Sequence, residues 1–313
     1  MITSEWGSGL PPEARARLSQ ARAGRTWTSY LSVGEFASLR AAGFEPVGAV
    51  MGSTVLGLGV WSDRPGGCGY RPEPTKVEFD RSGRPVPAHD RLGRPLPTSV
   101  TITTRKRAGS GGYYTYVKAL SRARRTALER MAAECEALGG DGVVSVRLDV
   151  APFLDVVGQL EFRATGTAVR AHGKVRPGRV FLSHTSGQEF GNLIATGWVP
   201  VDLVFGASIG IRHADERTEE EMRASAPARE VDGPTELVEL TRQDARRRLL
   251  ADVGRTGAEG AVLSAVDLET HERSCPVGGG TKDHMVKSTF VGTSITAFQT
   301  DHQMPPSLPF MRL

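Results

Sequence analysis

Apolar and polar residues alternate with period two at Val199, Val201, Leu203 and Phe205, the pattern of a strand with one face buried. Elsewhere the period lengthens to that of a helix. Tyr116, Leu120, Ala127, Met131, Cys135 and Leu138 recur at three-, four- and seven-residue steps, which predicts a long helix over 116–138 ended by Gly139-Gly140. A second long helix is predicted over 236–253, with Val238, Ala245, Leu249 and Val253 facing inward and Gly257 past its end. Each long helix leads into a strand, over 143–150 and 261–268. A closing strand follows in each case, over 160–169 and 289–298.

These elements form two series, and the series repeat one another. From Glu35 to Gly52 and from Glu189 to Gly206, Glu, Phe, Leu, Ala, Gly, Pro, Val, Val and Gly coincide without a gap, and Phe44 is answered by Trp198. Both copies begin on a capping box, Ser32-Val-Gly-Glu35 and Ser186-Gly-Gln-Glu189, in which the serine hydroxyl and the glutamate satisfy first-turn amides reciprocally. A short helix is predicted after each box, ending at Gly43 and Gly197, before extended segments over 47–55 and 199–209. The unit is α+β, a small antiparallel-rich sheet with one short and one long helix, present twice in tandem.

Length agrees, since 313 residues suit two domains of roughly 100 to 150 residues each. The expected division is an N-terminal segment over 1–25 with a short helix at 11–23, a first domain over 26–172, a linker at 173–179, a second domain over 180–299, and a tail at 300–313. No run of about 18 apolar residues and no signal-peptide pattern is present, so a soluble, cytoplasmic protein is expected. Three cysteines, Cys68, Cys135 and Cys275, are too few and odd in number for a disulfide framework. The net charge of +4 is mild.

In the first copy, Gly111-Gly112-Tyr113, Ala123-Arg124, Ala127-Leu128, Gly139 to Val144, Arg147-Leu148-Asp149 and Gly166-Thr167-Ala168-Val169 resemble the YbjQ-like family, whose members carry a heavy-metal-binding label. The second copy departs further: it lacks the Gly-Gly-Tyr entry, and its ending reads Thr293-Ser294-Ile295. The resemblance implies two fused YbjQ-like domains, and a fold that assembles into rings, typically homopentamers, whose neighbouring sheets continue one another. A homo-oligomer of this chain is therefore the expected partner.

The chemistry is sparse. The one local cluster of soft donors is His271, Cys275 and His284, in a stretch expected to be a loop between the last two strands; imidazole and thiolate there suit zinc or copper, and Asp283 offers a fourth, oxygen ligand. Cys135, on the apolar face of the first long helix, reads as core. No Walker loop, nucleophile elbow or zincin motif is present, and the matched aspartates Asp149 and Asp267 sit in separate copies, so no enzyme is expected.

An insertion at 61–112 is rich in proline and arginine and repeats Asp80-Arg-Ser-Gly-Arg-Pro-Val-Pro87 as Asp90-Arg-Leu-Gly-Arg-Pro-Leu-Pro97, which reads as a passive, partly disordered loop or as an extended segment able to meet a protein partner. Arginines in both long helices are interleaved with Glu129, Glu134, Glu239 and Asp244, which reads as solvated faces and inter-subunit ion pairs; without interleaved aromatics, nucleic acid is not an expected partner. The acidic stretch 215–222 reads as a mobile loop.

Overall fold

The computed structural model describes residues 9–24, 27–57, 100–104, 112–154, 158–173, 176–214, 216–223, 228–275 and 282–298. Cys68, the ten-residue repeat of the insertion and the C-terminal tail lie outside these residues. The chain opens with α1 (Pro12–Ala23), α2 (Val33–Ala41) and β1 (Phe44–Gly57), followed by β2 (Thr101–Ile102), α3 (Gly112–Ala137), β3 (Gly142–Pro152) and β4 (Gln159–Ala171). The second half runs β5 (Phe181–Leu182), α4 (Gly187–Ala195), β6 (Trp198–His213), α5 (Glu216–Glu221), α6 (Asp232–Thr256), β7 (Gly260–Ser274) and β8 (Lys282–Ala297).

Two four-stranded sheets result, ordered β1-β4-β3-β5 and β2-β6-β8-β7. In each, three long strands pair antiparallel in the same arrangement, β1-β4-β3 in one and β6-β8-β7 in the other. The mixed α+β character expected from the two periodicities is present. The short strands cross over: β5 runs parallel to β3, with Phe181 opposite Gly142, while β2 pairs with β6, with Thr101 opposite Ile211. Each half thus lends two residues to the other half's sheet.

Both capping boxes form, Ser32 with Glu35 and Ser186 with Glu189. Gly43 and Gly197 follow the two short helices with φ of 82°, the left-handed turn that a residue without Cβ adopts freely. The face of α3 predicted to be apolar is buried: Leu120, Ala127, Met131 and Cys135 pack with Val50, Val143, Phe162 and Ala168. Cys135 belongs to this core, and burial pushes its thiol up to about 12, with the charges of Asp141 and Glu136 adding to the effect. Among the described residues no helix is long and apolar enough to cross a membrane.

Three expectations are corrected. The stretch expected as a loop between the last strands is mostly paired, because β7 runs to Ser274 and β8 begins at Lys282; cross-strand pairs such as Lys282–Glu272 and Lys287–Glu269, each 2.7 Å, supply on an exposed hairpin what apolar alternation supplies elsewhere. The acidic stretch contains a short helix, α5. Glu134 and Asp244, expected on solvated faces, are buried.

Glu134 is buried because α3 lies hard against β1 at Gly52. A methyl group at Gly52 would come closer than 3.0 Å to the Ala127 carbonyl oxygen, the Met131 nitrogen and Arg130 Cβ. The same contact recurs between Gly206 of β6 and Ala245 and Leu249 of α6. Beside each glycine a helix carboxylate accepts a strand amide: Glu134 from Met51 at 2.9 Å, Asp252 from Phe205 at 3.1 Å. Gly206→Ala is expected to lower stability by about 2–3 kcal/mol in urea unfolding, since backbone, not a flexible side chain, must move. Gly254→Ala, at a helical glycine whose added Cβ would meet nothing within 4 Å, is expected to raise it by about 0.5–1 kcal/mol.

Candidate functional site

At the end of the second sheet three strands bring their polar residues into line. His213 of β6 lies opposite Asp283 of β8, which lies opposite Arg273 of β7, and Cys275 follows directly after β7. All of His213, Cys275 and Asp283 are buried, and their ligand atoms lie within 4.8 Å of one another. His213 Nδ1 is 3.1 Å from Asp283 Oδ1, and Arg273 donates to Asp283 Oδ2 at 3.3 Å. Among the described residues this is the one cluster of three or more such donors.

It retains Cys275 and Asp283 from the candidates offered by the sequence and adds His213. His271 is exposed and sits 3.7 Å from Glu269. His284 lies 3.6 Å from Glu272 on the neighbouring strand; burial pulls its pKa below the ordinary histidine value, opposed by the Glu272 charge. Strand alternation separates the adjacent pair Asp283 and His284. His213 escaped sequence reasoning because it lies 62 positions before Cys275, and only the β6-β8 register joins them.

A second feature lies where the two halves meet. Phe181 and Phe190 stack with centroids 5.6 Å apart, and Phe44 meets both edge-on, at 6.3 and 4.9 Å. Around them Leu39, Val144 and Val169 are buried. The first capping box reaches across: Glu35 Oε1 accepts from the Gly187 amide at 3.2 Å. Below this cluster the edge of β3 is covered by the β5 segment, through bonds from Ser183 to Val143 and from Ser145 to Thr185, both 2.9 Å.

The second copy has the same parts, and among the described residues no strand pairs with the outer edge of β7. By the repeat register, Trp27, Phe36, Trp198 and Val262 stand where Phe181, Phe190, Phe44 and Val144 stand in the first junction. Trp27 and Phe36 stack at 5.9 Å with an interplanar angle of 16°. Trp27 is 49% exposed where Phe181 is 8%, and Val262 is 38% exposed where Val144 is fully buried. Leu263 and Val266 on the same strand are exposed as well.

Between α3 and α6 runs a cleft of about 560 Å³ whose walls carry Arg125, Arg179, Arg248 and Arg255 beside Asp202 and Asp252. Its charges largely answer one another, as in the Arg125–Asp252 and Arg255–Asp252 pairs. Deeper, Asp244 accepts from Ser208 at 2.9 Å, Arg248 at 2.8 Å and Thr104 at 3.2 Å, and pairs with Arg247. Arg248 also donates to the Thr104 carbonyl, which binds the segment around β2 to the second half.

A YbjQ family model described as "Putative heavy-metal-binding" matches residues 98–172, from β2 through β4. Over 260 residues the chain is 33% identical to the encapsulin nanocompartment protein Rv1762c of Mycobacterium tuberculosis, a match covering 82% of each chain. Over 55 residues it is 49% identical to UPF0145 protein NP_2600A of Natronomonas pharaonis, which is 18% of this chain and 51% of that one. The His213–Cys275–Asp283 cluster lies outside the segment matched by the family model.

Burial acts to raise the Asp244 pKa, but the hydrogen bonds from Arg248 and Ser208 and the charges of Arg248 and Arg247 outweigh it and hold it below the ordinary value. Its contribution to stability is therefore complete above the ordinary aspartate pKa and is lost as pH falls through the lower, folded value. Asp244→Asn is expected to lose about 2–3 kcal/mol at neutral pH, solvent screening of the two arginines keeping the loss below that of a fully buried pair. Its urea midpoint should also fall less steeply than the wild type's as pH is lowered from 5 to 2.

Proposed function

We propose, from the premise that this chain belongs to the family of the encapsulin nanocompartment protein and carries a YbjQ-type domain, that it is a non-enzymatic assembly protein of two fused YbjQ-like copies joined head to tail into a closed homo-oligomer. The observation that carries this reading is the pair of half-built junctions at the two ends of the repeat. One end holds the stacked Trp27 and Phe36; the other holds Trp198 and the edge of β7, which no strand among the described residues pairs. Docked as β5 is docked on β3, the segment around Trp27 of one chain lies along Gly260–Leu263 of the next. The aromatic triad of Phe44, Phe181 and Phe190 is then rebuilt by Trp198 with the neighbouring chain's Trp27 and Phe36.

Energetics favour this occupant. An uncovered edge strand presents unpaired backbone groups, and exposed Val262, Leu263 and Val266 give it an apolar margin that a soluble monomer gains nothing from. The contact is heterologous, made by different surfaces on the two partners, so it either closes into a ring or grows without limit. The name of the mycobacterial relative, a nanocompartment protein, supports an assembly role for this chain as well.

Native mass spectrometry across the micromolar range tests the proposal. The wild type is expected as one discrete species of several chains. Val262→Lys, which places a charge at the joint but leaves the isolated chain's core untouched, is expected to yield single chains with an unchanged far-ultraviolet circular dichroism spectrum. A wild type that remains a single chain throughout sinks the reading.

A further inference from the structure

The geometry points to a copper(I) site at the end of the second sheet, made by His213, Cys275 and Asp283 with the Met285 thioether beside them. Two directly opposed pairs, Ile211 with Met285 and His213 with Asp283, put their side chains on one face of the β6-β8 ladder. Cys275 packs against Ile211 on that face, and Met285 and Tyr113 pack against the two of them. A thiol, an imidazole and a carboxylate therefore converge from β6, β8 and the end of β7, with the Met285 side chain packed beside the thiol.

Donor chemistry selects the ion. Thiolate and thioether sulfur with imidazole nitrogen are soft ligands, the set that favours copper(I) over magnesium or calcium. Charge separates copper(I) from zinc. Asp283 is already balanced by Arg273. A monovalent ion that replaces the thiol proton leaves the pocket's net charge unchanged, whereas a dication adds a positive charge beside the Arg273 guanidinium. In the binding step the Cys275 S–H bond breaks, the proton leaves to solvent, and an Sγ–copper bond forms without change of oxidation state. Asp283, hydrogen-bonded to His213 Nδ1 and held by Arg273, fixes the imidazole ring as well as closing one side of the site.

The site is tested on the full chain by anaerobic copper(I) titration in competition with bicinchoninate. One copper(I) per chain is expected. Cys275→Ser and His213→Ala should each weaken binding by about 100-fold or more, and Met285→Leu, which keeps the packing, by about tenfold. Cys135→Ser and the double change His271→Ala with His284→Ala should leave it unaltered. Circular dichroism spectra matching the wild type keep the variants comparable. The proposal is overturned by the absence of stoichiometric copper, by binding that survives Cys275→Ser, by loss of binding in the His271/His284 double variant alone, or by zinc(II) outcompeting copper(I). None of these results depends on the oligomeric state, so the site and the assembly proposal fail separately.

Discussion

The architecture depends on a helix laid directly on a strand at a residue that has no side chain. At Gly52 and again at Gly206 the helix backbone approaches so closely that a Cβ would collide with a carbonyl oxygen and an amide nitrogen of the helix. Such contact gives the tightest layer spacing a helix and sheet can adopt, and it brings a helix carboxylate within reach of a strand amide. Glu134 and Asp252 take up the amides of Met51 and Phe205 in this way. Each helix is thereby held in position along its strand as well as pressed against it. Arg17 of α1 completes the first arrangement by pairing with Glu134, offsetting a burial that raises the carboxyl's pKa.

Once each helix is fixed on its sheet, the ends of the sheet decide how the halves join. The two-residue strands β5 and β2 pass in opposite directions, so neither half completes its sheet alone. The aromatic cluster of Phe44, Phe181 and Phe190 fills the space that this exchange creates. Among the described residues the parts of this joint recur at the outer ends of the repeat, Trp27 with Phe36 at one and Trp198 with Val262 at the other. The difference in exposure between Phe181 and Trp27, residues at matched positions, is the physical record of that asymmetry.

Two buried carboxylates are each answered by several side chains. Asp244 gathers Ser208, Thr104 and two arginines around one carboxylate; Asp283 gathers His213 and Arg273. The first arrangement links the β2 segment to α6 and serves the fold. The second stands at a sheet end beside a buried thiol, where the same electrostatic balance leaves soft donors facing one another.

How much of this the sequence disclosed depends on the range of the interaction. Capping boxes, the left-handed turns at Gly43 and Gly197, the apolar face of α3 and the gapless repeat are local, so residue identity and spacing determined them directly. Gly52 and Gly206 were visible as matched positions, but their purpose, close approach of a helix backbone far away in the chain, was not. The length of the β7-β8 hairpin was missed because charged cross-strand pairs, not apolar alternation, hold it. His271 and His284 drew attention by lying near Cys275 in the chain, whereas His213 is brought to Cys275 by the pairing of strands. What the sequence by itself determined were the elements and their duplication; which side chains share a face, and which strand lies at the edge of its sheet, were decided only by tertiary register, because a one-residue change in pairing turns every side chain to the opposite side.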